Sequence, residues 1–269
     1  MKHFKKLVSI YINSSIHVAL AVVAFTYITA IETALYLPTY LVFFLFFASI
    51  TGYNFVKYAG IAQLHHRSLT ANLRLIQVFS FIAFILMLYF GWQLSQFTWL
   101  MLVPLGLLNL FYAVPIFFKA KNLRSIPLLK VVVIALVWSG VSVYIPFVET
   151  YTEITVETHL YALQRFLLVF CLMIPFEIRD IRFDLKSVKT LPQVVGIQST
   201  KWIGGIMLLS GCALNFFLLE KNYLYIYVLI ACIVFLFIRF SKVYQNRYYA
   251  SLWVEGIPIL YLILLILFN

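Results

Sequence analysis

Acidic side chains are rare in this sequence. Nine of the 269 residues are Asp or Glu, and none of them lies between Glu32 and Glu149. Charged residues of both signs amount to 11% of the chain, whereas 64% of it is hydrophobic. Because soluble globular proteins carry about 25% charged residues, this composition excludes an ordinary soluble domain. It indicates instead a protein that crosses a membrane several times.

Cysteine, glycine and proline are also sparse, with 3, 10 and 8 residues. Cys171, Cys212 and Cys232 each lie within an apolar stretch. Their spacing fits neither a disulfide framework nor a metal site. No segment rich in glycine, serine or proline divides the chain. We therefore expect one domain that covers residues 1–269.

Nine apolar runs are long enough to cross the ~30 Å hydrocarbon core of a membrane, which takes about 20 helical residues. The first run follows a short basic segment, and we interpret it as a spanning helix and not as a signal peptide. The predicted fold is an all-α integral membrane bundle of about nine transmembrane helices. The predicted spans are 7–30, 37–56, 71–91, 96–118, 126–147, 160–178, 201–219, 222–240 and 250–268.

Basic residues are concentrated on one side of the predicted membrane. With nine spans, 18 of the 20 lysines and arginines fall in the N-terminus and in the loops of that side. The positive-inside rule places these segments in the cytoplasm. We expect an integral multi-pass protein of the plasma (inner) membrane, with its C-terminus outside. Because this asymmetry accounts for the net charge of +11, no nucleic-acid partner is predicted.

Charged residues inside the predicted spans are few. Arg165 lies one to two turns inside the sixth span, and we expect its side chain to reach outward to the membrane surface. Glu255 opens the ninth span within reach of a basic loop. An ion-coupled transporter usually carries more ionisable groups near the middle of the membrane, so a transporter is the least favoured hypothesis.

The segment from Glu177 to Lys201 carries the clearest chemical pattern. Asp180 and Asp184 lie four residues apart, among several arginines and lysines. On a helix, residues at this spacing share one face. Mg²⁺ is commonly held by one or two carboxylates together with phosphate oxygens. The pattern therefore indicates a metal–diphosphate site at the membrane surface, although a solvated loop with incidental ion pairs would also fit it.

This segment resembles the second aspartate motif of the UbiA superfamily of intramembrane prenyltransferases. The matching residues are Arg179-Asp180-x-x-x-Asp184, followed by Lys189-Thr190-Leu191-Pro192 and Gly196. The match departs at its front, where the family often has asparagine and this chain has Phe176 and Glu177. The resemblance implies a nine-helix fold that binds a polyprenyl diphosphate through Mg²⁺. It also implies transfer of the prenyl group to an aromatic or other lipophilic acceptor.

The first aspartate motif of the family is missing. The loop after the second span keeps Asn54, but Phe55, Tyr58 and Ala62 replace the aspartates. Because no acidic residue lies near, no shifted alignment restores them. We expect Phe55 and Tyr58 to fill part of the volume of a first metal, and the resemblance then implies a single Mg²⁺.

Further basic residues complete the site that the resemblance implies. A segment with Tyr112, Pro115, Lys119 and Arg124 looks like the family's Y-x-x-P…K segment, although ordinary positive-inside charge would also explain it. Trp138 and other aromatic residues would line a prenyl tunnel. The resemblance implies that Asp180 and Asp184 are both the catalytic residues and the metal ligands. The implied diphosphate ligands are Asn54, Arg67, Lys119, Arg124, Lys186 and Lys189.

Two functional hypotheses follow besides the transporter. The first is an active, divergent prenyltransferase that uses a single carboxylate pair and basic residues. The second is a non-catalytic relative that binds an isoprenoid lipid or scaffolds membrane partners. A polyprenyl diphosphate, a lipophilic acceptor and membrane lipid are the expected partners.

The predicted topology can be tested with single cysteines. A cysteine in residues 149–158 is expected to react with an impermeant maleimide added to intact cells, because this loop is predicted to lie outside. A cysteine in residues 185–190 is the control and is expected to be protected until the membrane is opened. The reverse pattern would contradict the predicted orientation.

Overall fold

The apolar runs form helices because hydrocarbon offers no partner for a free backbone N–H or C=O group. The structure is a computed structural model that describes residues 2–62, 71–114, 126, 128–182, 190–218 and 221–268. The first five helices are α1 Lys2–Asn13, α2 Ile16–Glu32, α3 Thr39–Ala62, α4 Ala71–Gly91 and α5 Gln96–Ala113. The next four are α6 Leu129–Ser139, α7 Ile145–Glu149, α8 Val156–Asp180 and α9 Leu191–Val195. The last three are α10 Ile197–Leu218, α11 Lys221–Phe240 and α12 Ile257–Phe268.

Eight helical segments within the described ranges are long and apolar enough to cross a membrane, and a bent pair provides a ninth. The all-α fold with eight to nine spans is therefore confirmed. The first predicted span, 7–30, is not one straight helix: α1 and α2 meet at an angle of 59°. Two π-helical segments, Gly140–Tyr144 and Tyr249–Val254, lie next to α6 and α12.

The helices pack in a closed series. In the order α2, α3, α5, α6, α8, α10, α11 and α12, each helix contacts the next, and α12 contacts α2. Helix α4 packs against α3. The largest apolar core lies where α2, α8, α11 and α12 meet, with Phe25, Leu168, Tyr227 and Tyr261 almost fully buried. This arrangement leaves an interior between α3, α5, α6 and α8.

The prediction that Arg165 reaches outward is wrong. Its side chain is fully buried, and Nη2 lies 3.4 Å from Oε2 of Glu32, whose side chain is also fully buried. The guanidinium also stands over the Phe25 ring, with Cζ 4.5 Å from the ring centroid. The hydroxyl of Tyr261 donates to Oε1 of Glu32 over 2.6 Å. Arg165 can be buried because α2 supplies its counter-ion, Glu32. Helix α12 supplies Tyr261, the second partner of the Glu32 carboxylate.

Glu149 connects three helices, α3, α5 and α7. Its carboxylate accepts from the Tyr40 hydroxyl at 2.8 Å and from the backbone N–H of Ser95 at 3.1 Å. The residue is 4% exposed. Since Tyr40 opens α3, Ser95 caps α5 and Glu149 ends α7, this carboxylate fixes the starts of two helices that enclose the interior.

The Arg165–Glu32 pair is expected to be essential for stability. Arg165→Met leaves Glu32 buried without its counter-ion, and breaking a buried pair from one side costs about 3–5 kcal/mol. We expect a large fall in the midpoint of thermal unfolding of the purified protein in detergent. Adding Glu32→Gln should recover part of it, because the unpaired charge is then removed.

Glu157→Gln is the matched control, because Glu157 is an exposed carboxylate near the start of α8. It should leave the unfolding midpoint unchanged. An Arg165→Met protein as stable as the wild type would show that the pair contributes nothing.

Candidate functional site

A cavity of about 530 Å³ lies inside the helix ring. Its walls come mainly from α3, α5, α6 and α8, with single contributions from α2, α4 and two further segments. Small-molecule sites commonly occupy cavities of about 300–1,000 Å³. The volume is therefore sufficient for a ligand of lipid size.

Most of the cavity wall is apolar. Helix α5 presents Leu102, Leu105 and Gly106 on one face, and α3 presents Phe44 and Ala48 opposite them. Along α3 the lining extends from Phe44 to Lys57, which at 1.5 Å per residue is roughly 20 Å. The cavity is thus deep, with walls that suit a hydrocarbon chain.

A hydrogen-bonded tryptophan–tyrosine pair forms part of the cavity wall. Trp138 Nε1 donates to the Tyr53 hydroxyl over 2.6 Å, and the two rings meet edge to face. Both side chains line the cavity. Because the indole N–H has its partner, the Trp138 ring is held in place in the cavity wall. The expected contribution of Trp138 to an apolar tunnel is consistent with this position.

One end of the cavity carries a cluster of charges at the end of α8. Lys130 Nζ lies 2.9 Å from Oε1 of Glu177 and 3.4 Å from Oδ2 of Asp180. Arg179 Nε lies 2.7 Å from Oδ1 of Asp180. Lys130, Arg179 and Asp180 all line the cavity. Glu177, with a side chain 1% exposed, lies behind Lys130.

The local sequence explains this cluster. Glu177 and Asp180 are three residues apart in the last turn of α8 and share a helix face. Lys130 belongs to the first turn of α6, which packs against α8. An ammonium between two carboxylates relieves their repulsion, so the three groups can be buried together.

The opposite wall of this end is supported by Asn54. Its amide donates to the Ser14 carbonyl at 3.1 Å and to the Ser80 hydroxyl at 2.7 Å, and its carbonyl accepts from Ser15 Oγ at 2.8 Å. Asn54 is 3% exposed and does not line the cavity. It therefore holds the α1–α2 bend against α3 and α4.

Lys57 and Glu255 also line the cavity. Lys57 Nζ donates to the Ile12 carbonyl at 3.2 Å and to Ser15 Oγ at 2.9 Å. Glu255 follows the π-helical segment Tyr249–Val254, and it is close enough to interact electrostatically with Lys57 and Arg179. Short π-helical segments occur frequently at functional sites.

The predicted site residues are placed as follows. Asp180 lines the cavity, and Asn54 lies behind its wall at the same end. Asp184, Arg67, Lys119, Arg124, Lys186 and Lys189 lie outside the described residues. The prediction that Phe55 fills metal volume is wrong, because Phe55 is 46% exposed and does not line the cavity. The side chain of Tyr58 is not described.

Sequence reasoning missed the roles of Glu177 and Lys130. In the sequence alone, Glu177 is a departure from the family's motif, and Lys130 is one of 20 lysines and arginines. A sequence signal for Glu177 existed, since it lies one helical turn before Asp180 and on the same face. No comparable signal linked Lys130 to Asp180, because fifty residues separate them.

Several solved structures share this fold. The apo UbiA homolog from Aeropyrum pernix K1 has a TM-score of 0.66 and 16% identity, over 94% of this chain and 98% of that chain. The UbiA homolog from Archaeoglobus fulgidus bound to GPP and Mg²⁺ has a TM-score of 0.61 and 16% identity, over 96% and 98%. A digeranylgeranylglyceryl phosphate synthase has a TM-score of 0.58 and 16% identity, over 100% and 99%.

No family model and no curated protein sequence matches the chain. At 16% identity the structural likeness establishes the fold alone. It extends over nearly the whole of this chain and of each of the three solved structures. This chain is therefore an integral multi-pass membrane protein with the fold of the UbiA-type prenyltransferases.

Proposed function

We propose that this protein binds a prenyl diphosphate in the cavity and transfers its prenyl group to a lipophilic acceptor. The diphosphate would lie beside Asp180, Arg179 and Lys57, and the prenyl chain along the apolar walls of α3 and α5. Arg67, Lys119, Arg124, Lys186 and Lys189 belong to the same proposed diphosphate site. In the homolog from Archaeoglobus fulgidus, GPP and Mg²⁺ are bound together.

The observation that carries this proposal is the polarity of one cavity. Charged side chains are grouped at one end, and a deep apolar wall of Phe44, Leu102, Leu105 and similar residues forms the rest. A prenyl diphosphate has the same division, with a charged head on a hydrocarbon chain. Few other ligand classes combine a trianionic head with a long apolar tail.

The depth of the cavity suggests a chain of three to four isoprene units. An extended peptide spans about 3.3–3.6 Å per three backbone bonds. An isoprene unit has four such bonds, so four units extend roughly 18 Å on the same geometry. The lining of α3 runs over roughly 20 Å. Farnesyl and geranylgeranyl diphosphate are therefore the first ligands to test.

The residues present fit a single Mg²⁺ and not two. Asp180 lines the cavity and keeps 18% of its side chain exposed, and Asp184 is the second proposed ligand. The α3 side can provide no carboxylate, because the sequence has no acidic residue between Glu32 and Glu149. When bound, Mg²⁺ would supply Lewis-acid neutralisation of the charge that develops on the leaving pyrophosphate.

The transfer reaction needs little covalent help from the protein. The C1–O bond of the prenyl diphosphate breaks, and its electron pair leaves with pyrophosphate. An electron pair of the acceptor then bonds to C1, and the acceptor loses a proton. Arg179 and Lys57 would stabilise the leaving pyrophosphate. Glu255, which lines the same cavity, would accept that proton.

A second function, binding without turnover, is favoured by the surroundings of Asp180. Both of its carboxylate oxygens already contact cations, Oδ1 from Arg179 and Oδ2 from Lys130. A metal would have to compete with these fixed charges. Loss of one metal that contributed ~4 kcal/mol to transition-state stabilisation would slow the transfer about a thousandfold. The alternative function is therefore that of a non-catalytic relative, which binds an isoprenoid lipid or scaffolds partners.

Asp180→Asn tests the metal–diphosphate site. We expect the affinity for a non-cleavable geranylgeranyl thiodiphosphate in the presence of Mg²⁺ to fall at least tenfold, or about 1.4 kcal/mol, because a carboxylate ligand is lost. Isothermal titration of the purified protein, with and without EDTA, measures this. Glu157→Gln is the control and should bind like the wild type.

Release of pyrophosphate from geranylgeranyl diphosphate then separates the two functions. Tight binding with little or no release supports the non-catalytic alternative. Release at an ordinary enzyme rate of roughly 1–10 s⁻¹ supports the transferase and contradicts the idea that the missing aspartates impair turnover. Unchanged binding by Asp180→Asn would remove Asp180 from the site.

Gly106→Phe tests whether the apolar wall holds the prenyl chain. A Cβ at Gly106 would meet nothing within 4 Å, so a larger side chain can extend into the cavity without a backbone clash. Gly106 lies six residues from Tyr112, roughly 9 Å below the polar end. We expect affinity for geranylgeranyl thiodiphosphate to fall at least tenfold, whereas binding of the dimethylallyl analogue should change little.

The matched control is Leu107→Phe, at the neighbouring position on α5. Leu107 is 44% exposed and does not line the cavity, so its substitution should affect neither ligand. Equal losses for both chain lengths with Gly106→Phe would indicate general damage. No loss for either would place the chain elsewhere.

A further inference from the structure

Lys57 supplies a positive charge on the α3 wall, where the sequence has no acidic residue to hold a metal. The residue lies five positions before the end of α3, its side chain is exposed, and it lines the cavity near its charged end. The nearest acidic residues in sequence are Glu32 and Glu149. An anion against this wall would therefore meet an ammonium group and no metal–carboxylate centre.

The ammonium of Lys57 is held by fixed acceptors. It donates to the Ile12 carbonyl at 3.2 Å and to Ser15 Oγ at 2.9 Å. Ser15 in turn donates to Asn54 Oδ1 at 2.8 Å, and Asn54 is anchored to the Ser14 carbonyl and to Ser80. A lysine side chain normally loses rotamer entropy when a ligand fixes it. Here the folded protein has already restricted it.

This geometry leaves Lys57 with capacity for a ligand. An ammonium has three N–H donors, and two of them are used by neutral acceptors, so the positive charge is not cancelled by a direct ion pair there. Glu255 is the charged group that interacts with Lys57 from another described wall, and Glu255 also interacts with Arg179. A phosphate oxygen in the cavity beside Lys57 would complete the hydrogen bonding of its ammonium.

A purely structural role is the competing explanation. Ile12 lies in the last turn of α1, and a lysine at a helix C-terminus stabilises the free carbonyls there. Such a cap would hold the α1–α2 bend and would need no ligand. The two explanations differ in whether a diphosphate contacts the ammonium, and this difference can be measured.

We propose that Lys57 binds the diphosphate directly from the α3 side, in place of a first metal ion, and that the Asn54–Ser15 pair positions its ammonium. This inference rests on the proposed binding of a prenyl diphosphate. It assigns Asn54 the task of a positioning residue, which acts through Ser15 and Lys57 and does not touch the ligand. The metal requirement is then limited to the α8 side of the cavity.

The first test is the affinity of Lys57→Met for geranylgeranyl thiodiphosphate at saturating Mg²⁺. Hydrogen bonds to charged groups predict a loss of roughly ten- to a hundredfold. Lys57→Arg should lose less, because the charge is kept. Lys242→Met is the matched control, since Lys242 is an exposed lysine that does not line the cavity, and its affinity should equal that of the wild type.

Ser15→Ala tests the positioning role. It should weaken binding severalfold in the wild-type background and have no further effect in Lys57→Met, because a residue that acts through Lys57 loses its influence without it. Equal losses in the two backgrounds would contradict positioning through Lys57.

Differential acetylation of the unmodified protein avoids any dependence on how variants fold. Acetic anhydride treatment and peptide mass spectrometry report the reactivity of each lysine. We expect geranylgeranyl thiodiphosphate to slow acetylation of Lys57 severalfold and to leave Lys242 unchanged. Geranylgeraniol, which has the same chain without the diphosphate, should not protect Lys57.

The outcomes separate this inference from the proposed function. If Lys57→Met binds like the wild type, or if Lys57 reacts equally with and without the ligand, Lys57 has only the structural role. With that negative result for Lys57, the proposed function still stands if the wild type binds the analogue and Asp180→Asn does not. If the wild type binds no prenyl diphosphate, both proposals fail.

Discussion

Hydrocarbon provides neither hydrogen-bond partners nor counter-ions, so a polar group between spanning helices must find its partner within the protein. This constraint explains why few charges occur here and why the buried ones occur in groups. Arg165 pairs with Glu32, Lys130 with Glu177 and Asp180, and Asn54 with the α1–α2 bend. Each group joins helices that are distant in sequence, and so the same contacts that satisfy the charges also determine how the bundle closes.

The two ends of the bundle use this constraint differently. The Arg165, Glu32 and Tyr261 side chains are fully buried and line no part of the described cavity, so their charges serve the packing of α2, α8 and α12. At the other end, Lys57, Lys130, Arg179 and Asp180 line the cavity. Because these charges line the cavity and carry an excess of positive charge, an anionic head group in the cavity could contact them.

The charged end is itself asymmetric. The α8 wall carries carboxylates next to cations, whereas the α3 wall carries a lysine held by neutral acceptors. In the proposed site a metal would bind beside Asp180, because the α3 wall has no carboxylate to offer it. Our proposals for function and for Lys57 follow from this difference. A diphosphate would bind between a metal on one side and a fixed ammonium on the other.

The sequence by itself determined the class of fold and the approximate position of every span. Helix length and apolar composition suffice for this, because a spanning segment must satisfy its own backbone. The sequence also singled out Asp180, which lines the cavity, because its motif is local. It further showed that the α3 side lacks carboxylates. The continuous first span was a wrong expectation, since the 59° bend depends on contacts between Asn54 and the Ser14–Ser15 turn.

Tertiary structure decided which distant charges meet. Arg165 and Glu32 are 133 residues apart, and Lys130 and Asp180 are 50 apart. A hydropathy pattern gives the depth of such residues in the membrane but not the direction in which they face around the helix ring. Asn54 illustrates the same limit: its motif suggested a ligand contact, whereas its amide is buried and occupied by Ser14, Ser15 and Ser80. Lateral position within the bundle depends on packing between helices, and only the folded chain contains that information.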